Sequence, residues 1–316
     1  MEIKKLDIFS VCWQVIINPH ALSGKGQKCL HDIFTIFVKH RIDFQTNIPD
    51  NTDELIQTMR KLCDAGFHHF IFLGGDGTAN LILNGIFLPG TVSDDIYFVP
   101  IPTGTGNDWI RTHNYPADYH EIVHNFIKGQ FAAHDIGLVK SYRNGIEADA
   151  RLFINIAGFC FDAEVIRKAT KGKTPMFASI TYLYCLLKTL FNYKNQHVTI
   201  HADEMHIDDR IFTIAVGICK YNGNGMMQAP TADPFDGLLD VVVIRKLSPF
   251  KVIANIVNLF SGKHLRLREV SIFRTRELEI AATPCVLGEV EGEILTQGNY
   301  KISLLEQKVN VLRIER

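Results

Sequence analysis

The feature that most constrains this chain is a glycine-rich turn set where a strand must feed a helix: Leu73-Gly74-Gly75-Asp76-Gly77-Thr78, after the apolar run His69–Leu73. Glycines at 74, 75 and 77 let the backbone turn with positive φ and bring N–H groups close to an anion. A helix starting at this point adds its positive end. Taken alone, the stretch reads equally well as a tight turn in which Asp76 caps the helix that follows. A second loop, Pro102-Thr103-Gly104-Thr105-Gly106-Asn107-Asp108, again follows an apolar run, Ile96–Ile101, and leads into a helical segment. Asn107 or Asp108 alone would be a helix N-cap. Parallel sheets bind ligands outside the carboxyl ends of their strands, so two such loops on successive strand ends point at one site. A third, weaker loop, Asn18-Pro19-His20-Ala21-Leu22-Ser23-Gly24-Lys25-Gly26, follows the first strand.

The elements around these loops alternate. Cys12–Asn18, Asp43–Asn47, His69–Leu73 and Ile96–Ile101 read as strands, and Gln27–His40 as a helix. Asn51 followed three residues later by Glu54 reads as a capping box opening another helix. Strands alternating with helices predict a parallel sheet with crossover helices. After about Ala132 strand-like runs dominate: Phe131–Val139, Arg151–Ala157, Val198–His201, Ile211–Cys219, Leu239–Arg245, Ser271–Arg274, Leu278–Ala282, Tyr300–Leu304 and Val309–Ile314. Helices are expected at Pro175–Asn192 and Pro249–Phe260. The predicted architecture is an α/β N-terminal domain, residues 1–131, with a parallel sheet, and a β-rich antiparallel sandwich, residues 132–316. The cleft between two domains is the expected ligand site.

Composition narrows the function. A formal net charge of -1 argues against a nucleic-acid binder working through bulk positive charge. No uninterrupted run of 18 apolar residues appears, so no spanning helix is expected, and Met1–Asp7 lacks the apolar core of a signal peptide. Seven scattered cysteines without a CxxC pair suggest reduced thiols in the cytoplasm rather than a disulfide frame or zinc site. The thirteen histidines form no HExxH and no ligand-spaced cluster. Gly24-Lys25 is followed by Gly26, with Pro19 where a Walker A motif needs its first glycine, and neither glycine pair completes GxGxxG. The chain is therefore neither a P-loop protein nor a dinucleotide-binding Rossmann domain of the usual kind.

The motifs resemble those of the bacterial diacylglycerol kinase and lipid kinase family, related to sphingosine and ceramide kinases. The matching pieces are Asn18-Pro19 with Ser23-Gly24, Gly74 to Thr78, Pro102 to Asp108, Asn222 to Gly225 with Ala229-Pro230, Asp236 to Asp240, and Glu291-Gly292-Glu293. Gly-Gly-Asp-Gly alone is shared with NAD kinases and, loosely, phosphofructokinases. The resemblance implies a nucleotide-binding domain and a β-rich acceptor-binding domain, with ATP and Mg²⁺ as cofactors. It implies nucleotide contacts from Asn18, Ser23, Gly24, Thr46, Gly74, Gly75, Asp76, Gly77, Thr78, Asn80, Thr105, Asn107 and Asp108. It gives Asp76 a catalytic part through Mg²⁺, and Glu293 the part of general base. Asp236, with backbone carbonyls of Asp233 and Leu238, resembles a structural Mg²⁺ site; its plain alternative is an Asp-Gly turn. In the family the last motif is usually Asp-Gly-Glu, so Glu291 is a departure that puts the local geometry in doubt. Both acids would equally suit an exposed hairpin turn.

The implied reaction is phosphoryl transfer to a hydroxyl, with diacylglycerol as the expected lipid acceptor, met transiently at the inner face of a membrane. The likeness also makes a homodimer reasonable. A kinase for a soluble acceptor such as NAD, and an idle nucleotide-binding regulator, stay open. Met176–Phe191 reads as a buried helix before it reads as an acyl-pocket or membrane helix. The basic residues Lys263, His264, Arg266, Arg268, Arg274 and Arg276 read as a solvated face before they read as a lipid-headgroup site.

Overall fold

The computed structural model describes residues 3–19, 25–88, 95–103, 106–170 and 186–315. The chain forms two compact units. The first is Met1–Ile136 with Pro234–Asp236 and Leu305–Arg316; the second is Gly137–Asp233 with Gly237–Leu304. A single cut at 131/132 therefore misses the return of the C-terminal residues to the first unit. An apolar run marks a strand, but nothing in it names the neighbour it pairs with.

The first unit is built on strands β1 (Ile3–Lys5), β2 (Cys12–Ile17), β3 (Asp43–Asn47), β4 (His69–Gly74) and β5 (Ile96–Pro102). Helices α1 (Lys25–His40), α2 (Thr52–Asp64), α3 (Asp76–Phe87), α4 (Asp108–Thr112) and α5 (Tyr119–Ile127) alternate with them or follow. The sheet order is β3-β2-β4-β5, and every ladder in it is parallel. The last strand of the chain, β16 (Asn299–Leu312), adds itself parallel to β5, with Val309 opposite Ile96. β2 and β4 are buried almost throughout, as a sheet covered on both faces requires.

One face packs α1 and α5 around Trp13, which is fully buried, edge-on to Phe126 at 4.8 Å. The Trp13 indole N–H donates to the Ile8 carbonyl at 3.1 Å, so the ring buries its area without stranding its one polar atom. At α2 the Asn51 side chain accepts from the Glu54 amide at 3.0 Å, as the capping box predicts; the Glu54 carboxylate reaches one residue further, to the Asp50 amide at 2.7 Å.

The second unit contains the far part of β6 (Gln130–Arg143), then β7 (Ile146–Phe153), β8 (Ile156–Cys160), α6 (Phe161–Thr170), β9 (Gln196–Ala202), β10 (Met205–Gly217), β11 (Leu239–Arg245), α7 (Pro249–Phe260), β12 (Val270–Thr275), β13 (Glu277–Ala282), β14 (Gly288–Val290), β15 (Glu293–Ile294) and the near part of β16. Its strands run β15-β14-β8-β10-β9-β13-β16, with β11 on β10, β12 on β11 and β7 on β6. These ladders are antiparallel. β10 is long enough to pair β9 along its first half and β8 and β11 along its second.

α7 matches its expected span, and Tyr300–Leu304 with Val309–Ile314 prove to be one strand. The expected strand Arg151–Ala157 breaks at Ile154-Asn155. Most of the expected helix Pro175–Asn192 lies outside the described residues; 186–192 are helical. Among the described residues no helix is long and apolar enough to cross a membrane.

Replacing Trp13 by Ala removes a fully buried ring and strands the Ile8 carbonyl. The expected cost is about 3–5 kcal/mol, read as a lower midpoint of chemical denaturation. A change below about 1 kcal/mol would show that this core is not the one that holds the first unit.

Candidate active-site elements in the two units

In the first unit the described parts of the two glycine-rich loops lie next to each other. β4 and β5 end side by side, with Gly74 opposite Pro102, and the Thr103 amide donates to the Gly74 carbonyl at 3.1 Å. The Asp76 carboxylate ties the loops together: it accepts from the Asp108 amide at 2.7 Å and the Trp109 amide at 3.3 Å. Asp76 opens α3 but caps a different helix, α4. Asn107, the N-cap residue of α4, sits left-handed at φ 51 and offers no side-chain cap. Burial pushes the Asp76 carboxyl up to about 6, resisted by the two amides it binds; the neighbouring Asp108 charge raises it further.

Trp109 fixes α4 from below. Its ring stacks on Phe72, and its indole N–H donates to His134 Nε2 at 3.1 Å. His134 Nδ1 lies 2.6 Å from the Asp135 carbonyl, so a neutral imidazole carrying its proton on Nδ1 satisfies both contacts.

The third loop joins from β2. The Asn18 amide donates to the Leu73 carbonyl at 3.3 Å, and Asn18 Nδ2 donates to Thr78 Oγ1 at 3.0 Å. Thr78 and Asn80 are buried, and Asn84 Nδ2 donates to the Asn80 carbonyl at 2.8 Å. Thr46 is exposed on β3, opposite Val15. Ser23, Gly24 and Thr105 lie outside the described residues.

The reason for glycine in the first loop differs from the expectation. None of Gly74, Gly75 and Gly77 has positive φ. Gly74 is required by close approach: a Cβ there would sit 2.4 Å from Thr78 Oγ1. At Gly77 a Cβ would meet nothing within 4 Å. The Thr78 amide makes the first bond of the helix, to the Gly75 carbonyl at 3.0 Å. The amides of Asp76 and Gly77 precede it and are left for an anion. The set of groups suits a phosphate chain: a helix start, an uncrowded glycine, and hydroxyl and amide side chains. The half-buried Asp76 and the buried Asp108 beside it suit a hard divalent cation.

In the second unit the acids of the last motif sit on a hairpin. β14 and β15 pair Glu289 with Ile294 and Val290 with Glu293, leaving Glu291-Gly292 as a two-residue loop. Both loop residues have positive φ, 49 and 90, as hairpin turns of this length favour. Glu291 Oε1 accepts from the Ile154 and Asn155 amides at 2.7 and 2.8 Å. Those amides stand at the break between β7 and β8, so the carboxylate takes over where the ladder stops. The longer arm of Glu291 thus has a local use. Glu293 is exposed, on the opposite face of the ribbon from Glu289.

Sequence reasoning missed Glu289 and Asp162. Glu289 is buried over Gly158, where a Cβ would lie 2.5 Å from Glu289 Oε1. Burial pushes its carboxyl up to about 8, although the Gly292 amide donates to it at 2.7 Å; Asp162 and Glu291 add charge repulsion. Burial also lifts Asp162 to about 6, with Gln228 donating to it at 3.2 Å. Both acids line a pocket, partly open to solvent, whose walls are otherwise mostly apolar: Val165 of α6, Phe212 of β10, Val242 of β11, and Val252 and Leu259 of α7. The only sequence signal was an acid within each of two apolar stretches.

Asp233, Asp236 and Leu238 fall in the irregular segment 231–238, with both carboxylates exposed.

Two outcomes follow. Gly74→Ala should weaken nucleotide binding by about tenfold or more through the Thr78 clash, measured by titration calorimetry; wild-type affinity would mean that the loop gives way freely. Glu289 holds its proton in the folded chain to about pH 8, against an ordinary 4.5. A raised folded-state value contributes stability below the unfolded value and loses it as pH climbs through the folded one. The melting temperature should therefore fall from about pH 4.5 to about pH 8, and Glu289→Gln should flatten that fall. An unchanged slope in the variant would exclude Glu289 as its source.

Residues 13–139 match the diacylglycerol kinase catalytic domain, and residues 155–313 match the YegS C-terminal NAD kinase beta sandwich-like domain. A "Diacylglycerol kinase" of Mycobacterium tuberculosis is 26% identical over 301 residues, covering 94% of each chain. A "Probable lipid kinase YegS-like" of Pectobacterium atrosepticum is 27% identical over 76% of each chain. A crystal structure of a Bacillus anthracis diacylglycerol kinase superposes with a TM-score of 0.70 at 18% identity, covering 95% of this chain and 96% of that one. Yeast NADH kinase shares the fold at a TM-score of 0.50, 10% identity, and 96% and 83% coverage. With both of its units matched in this way, the chain belongs to the bacterial diacylglycerol kinase and lipid kinase family.

Proposed function

We propose that this chain transfers the γ-phosphoryl group of ATP to the hydroxyl of a lipid, with diacylglycerol as acceptor, in the cytoplasm at the inner membrane face. The observation that carries the lipid half of this reading is the pocket of the second unit: apolar walls for acyl chains, with Asp162, Glu289, Asn222 and Gln228 gathered as polar groups. A nucleotide acceptor such as NAD carries phosphates, and among the described residues this pocket has two acids and no lysine or arginine to receive them.

When bound, Mg²⁺ neutralises charge on the transferring phosphoryl group. The residues of this chain divide the rest of the work. The α3 amides, Asn18, Thr78 and Thr46 hold the phosphates and sugar, together with Ser23, Gly24 and Thr105. Asp76, charged above its value of about 6, serves Mg²⁺ while keeping Asp108 and Trp109 in register. Asp233, Asp236 and Leu238 would hold a second, structural Mg²⁺ through carboxylate and carbonyl oxygens. Glu293, exposed on a hairpin clamped by Glu291, takes the proton of the acceptor hydroxyl.

The experiment is phosphorylation from γ-labelled ATP of diacylglycerol, sphingoid bases, ceramide and NAD, in mixed micelles where needed. Diacylglycerol should carry the label. Glu293→Gln should lower kcat by about 10²–10⁴-fold while leaving ATP affinity within about twofold. Label on NAD alone, or near-normal turnover by Glu293→Gln, would sink the corresponding assignment.

A further inference from the structure

Helix α7 is apolar around about half of its circumference, and only part of that arc is used inside the protein. At about 100° per residue, Val252, Ile256 and Leu259 form one stripe, which lines the acid-containing pocket. The adjoining stripe, Phe250, Ile253, Val257 and Phe260, faces solvent, with Phe250 76% and Val257 74% exposed. Phe191, also exposed, comes up beside Phe250 with ring centroids 6.0 Å apart, so two helical segments build one apolar surface. Scattered exposed apolar residues are ordinary, but a contiguous patch of large ones marks an interaction site.

In the sequence on either side of the patch cations predominate. From Val241 to Arg268 the sequence has six basic residues, Arg245, Lys246, Lys251, Lys263, Arg266 and Arg268, and no acid. Lys188 and Lys194 flank Phe191, again with no acid between Leu186 and Gln196. Glu269, next after Arg268 in the chain, draws Lys251 and Arg268 to itself at 2.6 and 2.9 Å, while Lys246, Lys263 and Arg266, which flank α7 in the chain, and Lys188 and Lys194, which flank Phe191, are exposed. An apolar ridge bordered by cations complements the face of an anionic bilayer, where rings enter the acyl boundary and ammonium and guanidinium groups stay among the phosphates.

We infer that the outer stripe of α7, with Phe191, docks this chain on an anionic lipid bilayer. This inference rests on the lipid-kinase reading for its purpose: a helix seated in the interface on one stripe and walling the pocket with the next gives an acyl chain a route that avoids water. A protein partner would have no use for that second stripe, and an acidic one would answer only the charges.

The test is co-sedimentation of the full chain with phosphatidylcholine vesicles, with and without phosphatidylglycerol, beside the double variant Phe250→Ser, Val257→Ser. Neither residue lines the pocket. Wild type should bind the anionic vesicles and lose them at high salt. The variant should bind roughly tenfold or more weaker, with an unchanged melting curve and unchanged phosphorylation of a short-chain, water-soluble diacylglycerol. Equal binding of wild type and variant, or no binding by wild type, would overturn the inference. So would a variant that keeps vesicle binding but turns a wild-type dimer into monomers in analytical ultracentrifugation, which would assign the patch to a second copy. Vesicle binding that depends on Phe250 and Val257 in a chain that labels no lipid would overturn the kinase reading and leave the docking surface standing.

Discussion

A carboxylate withdrawn at least partly from solvent and spent on backbone amides is the device on which both units depend. In the first unit, Asp76 holds the Asp108 and Trp109 amides. In the second, Glu291 holds those of Ile154 and Asn155, and Glu289 that of Gly292. The Asp76 and Glu291 bonds join segments that no strand ladder links, and the Glu289 bond closes the turn of its own hairpin. Asp76 is charged above about pH 6, and hydrogen bonds to an ionised acceptor are stronger than neutral ones; losing either partner of any of these bonds strands a polar group at a cost of about 1–3 kcal/mol. These acids are therefore fasteners as well as chemistry. At Asp76 the two roles would coincide, because the same carboxylate that fixes the second loop lies at the start of the helix proposed to receive the phosphates.

The pairing of the first two loops is legible in the sequence because its causes are local. An apolar run, glycines and a capping asparagine each mark one strand end, and a parallel sheet places such ends on one edge. The partner of Asp76 is not legible: its amides lie beyond the next strand, and an aspartate after two glycines reads first as the cap of its own helix. Glycine was read for positive φ, whereas Gly74 is there because Thr78 closes over it. That constraint belongs to packing, which composition does not reveal. Likewise β16 is visible as alternating residues, but its parallel place beside β5 is set by a chain reversal with no local mark.

The acids of the second unit were hidden for a different reason. Asp162 and Glu289 stand in apolar stretches that pair through β8, β10 and β14, elements whose adjacency only the fold supplies. Burial, with the charge of Asp162 adding to it, raises the Glu289 carboxyl, so that Glu289 is neutral where an ordinary glutamate would be charged. A neutral carboxyl both donates and accepts. It can read a hydroxyl without the desolvation penalty of a bare charge. An apolar pocket ending in such a group suits an alcohol on a long hydrocarbon better than it suits an anion.

The substitution of Glu for Asp at 291 gains a physical meaning from the strand break. With φ 49, the residue sits in the left-handed region that glutamate seldom occupies, a strain of about 1–3 kcal/mol that persists only where surroundings over-determine it. Here the two amides at 2.7 and 2.8 Å do so. A shorter side chain at the same backbone position would stop about one methylene short of both. The hairpin would keep its ladder to β8, the bond from the amide of residue 291 to the Ile156 carbonyl and the bond from the Gly292 amide to Glu289, but it would lose the side-chain clamp that residue 291, two before Glu293, puts on the strand break.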